Sequence, residues 1–213
     1  MKIKPILLAL SFLIISLSVI SQGTAEKPVD DPAGLIEQAS GFSQKTQSIT
    51  SDFTQEKEMS FLEEKVTSTG KFYFQKENRL RWEYQKPYHY VIILNNNRIR
   101  IIDEGEVKDY DAGSNRMFVE ISGVMSGLVN GTLLQSDKFG QTWHEAAGYY
   151  RVVLLPKETM MKDFLAKIDL KLSKQDFSVD ELKMFEKSGD YTLITFRNKK
   201  MNETIAADIF NVD

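Results

Sequence analysis

Val66-Thr-Ser-Thr-Gly-Lys-Phe-Tyr-Phe-Gln-Lys76, followed closely by Arg79-Leu-Arg-Trp-Glu-Tyr84, decides how this chain folds. Phe72 and Phe74 stand on the parity opposite Lys71 and Tyr73. Leu80, Trp82 and Tyr84 oppose Arg79, Arg81 and Glu83. Just upstream, Ile49, Ser51, Phe53 and Gln55 share one parity. A period of two sends successive side chains to opposite faces of a pleated strand. The region from Ile49 to Ile102 therefore predicts consecutive strands of a curved antiparallel sheet with a bulky, aromatic concave face.

Turn signals separate these runs at Glu77-Asn78, Lys86-Pro87, Asn95-Asn96-Asn97 and Asp103-Glu104-Gly105. Tyr88 to Leu94 is apolar on both parities, which predicts a strand covered on both faces. Further strands are expected at Trp143 to Ala146, Tyr149 to Leu155, Lys167 to Lys174, Leu182 to Glu186, Tyr191 to Asn198 and Thr204 to Phe210. Lys199-Lys200 reads as a connection, and Lys157 to Ala166 as carrying a helical turn. Regularly spaced strands of this kind indicate a barrel or half-barrel.

Two segments switch to helical spacing. Leu35, Ile36, Ala39 and Phe42 form a stripe ending near Thr46, with Asp30 or Asp31 as cap and Pro32 in the first turn. Met117, Ile121, Val124 and Leu128 form a second stripe, which contains Gly123, Gly127 and Gly131. Glycine inside a helix costs about 1 kcal/mol against alanine. This second helix is weak by itself, and both close packing on the sheet and movement as a lid suit it.

Met1 to Ala25 has the form of a secretory leader: Lys2 and Lys4, an apolar run from Ile6 to Ile20, then Gly23-Thr24-Ala25. One domain is expected from Glu26 to Asp213, in a chain of 213 residues. Cysteine is absent, which excludes disulfides, thiolate metal sites, a cysteine nucleophile and lipidation after the leader. The formal net charge is −3, and loss of Lys2 and Lys4 makes the exported chain more acidic still. That balance argues against nucleic acid and against docking on anionic lipid.

Catalytic patterns are missing. His89 and His144 lie far apart, and no zinc-protease, nucleophile-elbow, P-loop or dinucleotide motif occurs. The aromatic concave face is either an ordinary filled core or the wall of a binding cavity. Lys76 shares the parity of Phe72 and Phe74, so its ammonium belongs to that face or its rim, or reaches water at the strand end.

The order of these motifs resembles the LolA-type family of periplasmic outer-membrane lipoprotein carriers. The matching strings are I-T-S-D-F-T-Q at Ile49 to Gln55 and T-G-K-F-Y-F-Q-K-E-N-R-L-R-W at Thr69 to Trp82. Pro87, V-I-I-L-N-N-N-R-I-R-I at Val91 to Ile101 and Y-R-V-V-L-L-P-K at Tyr150 to Lys157 follow. The resemblance implies a mainly β chain with some α (α+β): an unclosed antiparallel half-barrel, an N-terminal helix, and a lid helix over an apolar cavity. It implies a non-enzymatic, monomeric periplasmic carrier of lipoprotein acyl chains, without cofactor or metal. Cargo would come from an ATP-driven extractor in the inner membrane and, in many bacteria, pass to an outer-membrane receptor.

On that basis Phe53, Phe72, Phe74, Leu80 and Trp82 are expected to line the cavity, with Met125, Leu128 and Val129 facing it from the lid. Glutamate at Phe74 is expected to abolish release of lipoprotein while sparing the fold. The family's latch arginine falls at Lys76 and its next residue, proline, at Glu77. Lysine keeps the charge without the planar fork of donors. Rival readings keep the fold but change the role. One is a carrier or sensor of another lipid, such as a glycolipid or polyene lipid; the other is a structural interaction module with a packed concave face.

Overall fold

The computed structural model describes residues 25–111, 123, 126–129 and 131–212. The leader predicted at Met1 to Ala25 lies outside them save for its last residue, as do Met117, Ile121 and Val124 of the second helical stripe and Met125 of the lid.

Every strand among the described residues joins one antiparallel sheet. Its members are β1 (Lys27–Val29), β2 (Ser48–Glu58), β3 (Val66–Gln75), β4 (Arg79–Lys86), β5 (Tyr90–Asn95) and β6 (Arg98–Asp103). β7 (Glu106–Asp111), β8 (Phe139–Glu145), β9 (Tyr149–Pro156), β10 (Leu165–Ser173), β11 (Val179–Glu186) and β12 (Tyr191–Met201) follow. Their order is β1-β8-β9-β10-β11-β12-β2-β3-β4-β5-β6-β7, so the sheet does not close and its margins are β1 and β7. This is the mainly β half-barrel that the alternation predicts.

Register aligns the concave side chains in rows. Ser51 pairs with Phe72, Phe72 with Trp82, Trp82 with Ile92 and Ile92 with Ile101. Alongside runs Ile49, Phe74, Leu80, Leu94 and Ile99. On the far wall, Trp143, Val152, Leu170, Leu182 and Ile194 continue across β8 to β12. These rows form one buried apolar core on the inner side of the cup. The three-residue turn from Lys76 to Asn78 joins the paired Gln75 and Arg79. Within it Glu77 and Asn78 take positive φ, at 73° and 65°, as tight hairpin loops require.

The register of β3 on β4 shifts between Thr69 and Gly70, which face Lys86 and Tyr84. Gln85 is therefore the extra residue of a bulge on β4, and a bulge bends the sheet locally. A Cβ at Gly70 would lie 1.9 Å from the Glu83 carbonyl oxygen and 2.9 Å from the Phe53 ring. The missing side chain lets β4 and the Phe53 ring close in on the backbone.

Of the stretch expected to be covered on both faces, Tyr88 to Leu94, only the part within β5 is so: Tyr88 precedes the strand and is 69% exposed. Val91 and Ile93 point outward and are packed by Ile205, Phe210 and Val212. The segment predicted as a strand at Thr204 to Phe210 is instead an outer strap: it ends in a 3-10 turn at Ala207–Phe210. The Asn95 and Arg81 side chains donate to the carbonyls of Phe210 and Ile209, at 3.0 and 3.4 Å. Its apolar residues crowd together instead of alternating, which suits a cap over one patch better than a ladder partner.

Helix α1 (Ala33–Lys45) covers one end of the cup. The Asp31 carboxylate accepts the Ala33 N–H at 3.0 Å, and Pro32 sits at the helix start. A four-residue helix, α2 (Thr159–Lys162), buries Met161 beside β9 and β10 and supplies the helical turn expected there.

Candidate functional site

Under α1 and the helical residues 126–129 lies an apolar hollow of about 60 Å³. Phe42 and Thr46 of α1 and Leu128 and Val129 of the lid face it from above. Ile49, Ser51 and Phe72 form one wall; Phe177, Val179, Leu182, Phe196, Lys199 and Met201 form the other. The site thus draws on both halves of the sheet, joined where β12 pairs with β2.

Of the side chains expected to line the cavity, Phe72, Leu128 and Val129 do so. Phe53, Phe74, Leu80 and Trp82 belong to the same buried core but stand outside that lining, and Met125 is outside the described residues. The rings interlock: Phe53 lies 4.9 Å from Trp82, Phe72 lies 5.2 Å from Trp82, and Phe196 lies 5.7 Å from Phe72 and 6.0 Å from Trp82. At the margin of this cluster, burial together with the neighbouring Tyr90 pushes the Tyr84 phenol up to about 12. Its neutral hydroxyl donates to Gln55 Oε1 at 2.9 Å. The aromatic face is therefore a packed floor beneath a small hollow.

Among the described residues, Lys76 is bonded to α1 and not to the lid. Its ammonium donates to the Gln44 carbonyl and its backbone N–H to the Gln47 carbonyl, so it holds the C-terminal end of α1. A cation there meets the negative end of the helix dipole. A polar contact between lid and sheet comes two residues later, where the Ser126 hydroxyl donates to Asn78 Oδ1 at 2.9 Å. Arg81 points outward, as its parity requires, and pairs with Glu83 at 2.8 Å.

Gly127 and Gly131 approach helical neighbours, the 3-10 turn at Leu133–Gln135 and α1, while a Cβ added at Gly123 would meet open space. A Cβ at Gly127 would stand 3.2 Å from Leu133 Cβ. Gly131 lies past the helix with φ of 69°, and a Cβ there would meet Ser43 Oγ at 2.6 Å. Gly123 has nothing within 4 Å. Gly131 is thus the stop that turns the chain against α1.

The Lys199-Lys200 connection is a correction: both residues lie inside β12, at a bulge between Arg197 and Lys200. An extra residue re-aims its neighbours, and Lys199 comes to line the hollow. Its ammonium bonds Ser178 Oγ at 2.6 Å, the Val179 carbonyl at 3.2 Å and Asp180 Oδ1 at 2.5 Å. The wall from β11 and β12 was missed from sequence. Alternation of Ile194 and Phe196 marks an inward face, but nothing local shows that β12 pairs with β2.

Asn78→Ala should remove the acceptor for Ser126 and loosen the lid by about 1 kcal/mol, severalfold in the opening equilibrium. Stopped-flow uptake of a hydrophobic fluorophore should accelerate accordingly. Lys76→Ala should leave that rate within about twofold, since its effect falls on the α1 terminus.

Comparison with known proteins places this geometry. A family profile described as "Outer membrane lipoprotein carrier protein LolA" matches residues 44–213. An outer-membrane lipoprotein carrier protein of Pseudomonas paraeruginosa (strain DSM 24068 / PA7) is 26% identical over 200 residues, covering 92% of this chain and 91% of that protein. An uncharacterized conserved protein from Thermus thermophilus superposes with a TM-score of 0.53 at 8% identity, over 86% of this chain and 95% of the other. That likeness is one of fold. A LolA superfamily protein from Nitrosomonas europaea superposes with a TM-score of 0.45 at 10% identity, over 84% of this chain and 96% of the other.

Proposed function

The chain belongs to the LolA family, and we propose from that membership that it carries lipoproteins across the periplasm, shielding their acyl chains between inner and outer membrane. The observation that carries this reading is the apolar hollow roofed by Leu128 and Val129. Each exposed methylene costs about 0.8 kcal/mol, so a lipid-modified protein cannot cross water unprotected. A carrier must cover that area and still release it.

The dimensions of the hollow supply the mechanism. Sites for lipid-sized ligands start at about 300 Å³, several times the space present. Acyl chains therefore enter only when the lid, α1 or both withdraw and the rings of Phe72 and Phe196 come to face cargo. Lid closure and cargo compete for the same apolar surface, which weakens binding enough to permit transfer. An ATP-driven extractor would load the open form, and an outer-membrane receptor would accept its cargo. The chemistry is binding alone, with no catalytic group and no cofactor.

Release of an acylated lipoprotein from inner-membrane vesicles tests the proposal. Phe74→Glu is a poor probe, because Phe74 is 1% exposed and an unpaired carboxylate there would cost the fold. Val129→Glu is better, since Val129 is only half-buried and packs on the margin of the core from the lid, not from a strand. We expect Val129→Glu to fold with an unchanged circular dichroism spectrum and to release less than about a tenth of the wild-type amount, as burying the charge against hydrocarbon costs several kcal/mol. Full release by the folded variant would overturn the carrier assignment of this hollow.

A further inference from the structure

The lining of the hollow contains five polar side chains, and four of them are occupied by the protein itself. The Ser43 hydroxyl donates to the Ala39 carbonyl at 3.0 Å and that of Thr46 to the Phe42 carbonyl at 3.1 Å. The Ser178 hydroxyl bonds Asp176 Oδ1 at 2.6 Å, and Lys199 is held by Ser178, Val179 and Asp180. The fifth is Ser51. Its residue is 6% exposed, and its Oγ is buried without a hydrogen-bond partner among the described residues.

Buried hydroxyls are almost always paired, because leaving one unpaired forfeits its hydration without return. Position explains why this one is not. Ser51 lies on the concave parity of β2 between Ile49 and Phe53, opposite Phe72. An apolar residue would suit the packing of that row better. On a residue that lines the hollow, a buried hydroxyl is useful only if a guest that parts the row brings it a hydrogen-bond acceptor.

We infer that Ser51 is a recognition point for the carbonyl oxygen of an acyl ester, so that the hollow reads the polar joint of a lipid as well as its hydrocarbon. This rests on the carrier reading and names the group that its site would recognise. Two features select a neutral carbonyl over a carboxylate. Ser51 offers one uncharged donor, and the cation of the lining, Lys199, is already neutralised by Asp180 at 2.5 Å. With the carbonyl at Ser51, the acyl tail lies against Phe72 and Phe196, and the remainder of the molecule leaves beneath the lid.

Binding of a monoacylglycerol should be compared with that of the alkyl-ether glycerol of equal chain length, which differs only in lacking the carbonyl. Displacement of a hydrophobic fluorophore from the full chain gives both affinities. The wild type should favour the ester roughly five- to tenfold, the worth of one hydrogen bond in a dry site. Ser51→Ala should erase that preference while leaving ether affinity unchanged, and should raise the melting temperature of the empty protein. Ser51→Thr, which keeps the hydroxyl, should retain the preference. An equal ester preference in wild type and Ser51→Ala overturns the assignment of Ser51 and leaves the carrier reading standing. Binding of neither glycerol lipid overturns both.

Discussion

Cysteines placed at Asn78 and Ser126 should, once oxidised, stop the protein from taking up acylated cargo, and reductant should restore uptake. The two side chains meet tip to tip at 2.9 Å, joining the β3–β4 turn to the lid. The natural sequence has no cysteine, so the engineered bond would have no competitor. A closed lid leaves about 60 Å³ beneath it. Keeping even four methylenes out of the hollow forfeits about 3 kcal/mol, above a hundredfold in affinity. The measurement is release of acylated lipoprotein from inner-membrane vesicles, with the oxidised and reduced forms of one preparation compared side by side. Undiminished release by the cross-linked form would show that cargo does not enter under the lid.

Gly70→Ala should cost more stability than alanine at any other described glycine. The new carbon would stand 1.9 Å from the Glu83 carbonyl oxygen, 2.8 Å from the Glu83 carbonyl carbon and 2.9 Å from a ring carbon of Phe53. Backbone on one side and a buried ring on the other leave no flexible tip to give way. Overpacking of this severity costs about 3 kcal/mol or more, a large part of the roughly 5–15 kcal/mol that typically holds a domain. Gly41→Ala is the control: it lies within α1 with nothing within 4 Å. That change should stabilise by roughly 0.5–1 kcal/mol through helix propensity. Urea denaturation should therefore shift the two midpoints in opposite directions. A Gly70→Ala midpoint within error of wild type would contradict the close approach of β4 at the bulge.

Legibility from sequence followed the range of the forces involved. Alternation at Phe72, Phe74, Leu80, Trp82 and Tyr84 gave the inward face of β3 and β4 because side-chain parity is a property of a strand alone. The doubled parity required an outer cover, which the structure supplies over Val91 and Ile93 but not over the exposed Tyr88. Which segment supplies it, the strap from Ile205 to Val212, depends on tertiary packing with a distant part of the chain. Lys199 was hidden for a similar reason: a pair of lysines looks like a solvated turn until a bulge turns one of them inward. Phe177 reaches the hollow from a residue with φ of 50°, which no periodicity announces. Lys76 shares the parity of Phe72 and Phe74, but its ammonium is bonded to the end of α1. No spacing along β3 could show that.

The two unjoined margins at β1 and β7 bear on how much the cup can hold. A cylinder sewn shut fixes its own circumference, because widening it means tearing hydrogen bonds along some seam. Here the girth can grow by uncurling: every ladder from β8 to β6 stays intact while the margins swing apart. Guests of unequal bulk then demand only a change of curvature, met at hinges such as the bend beside Gly70.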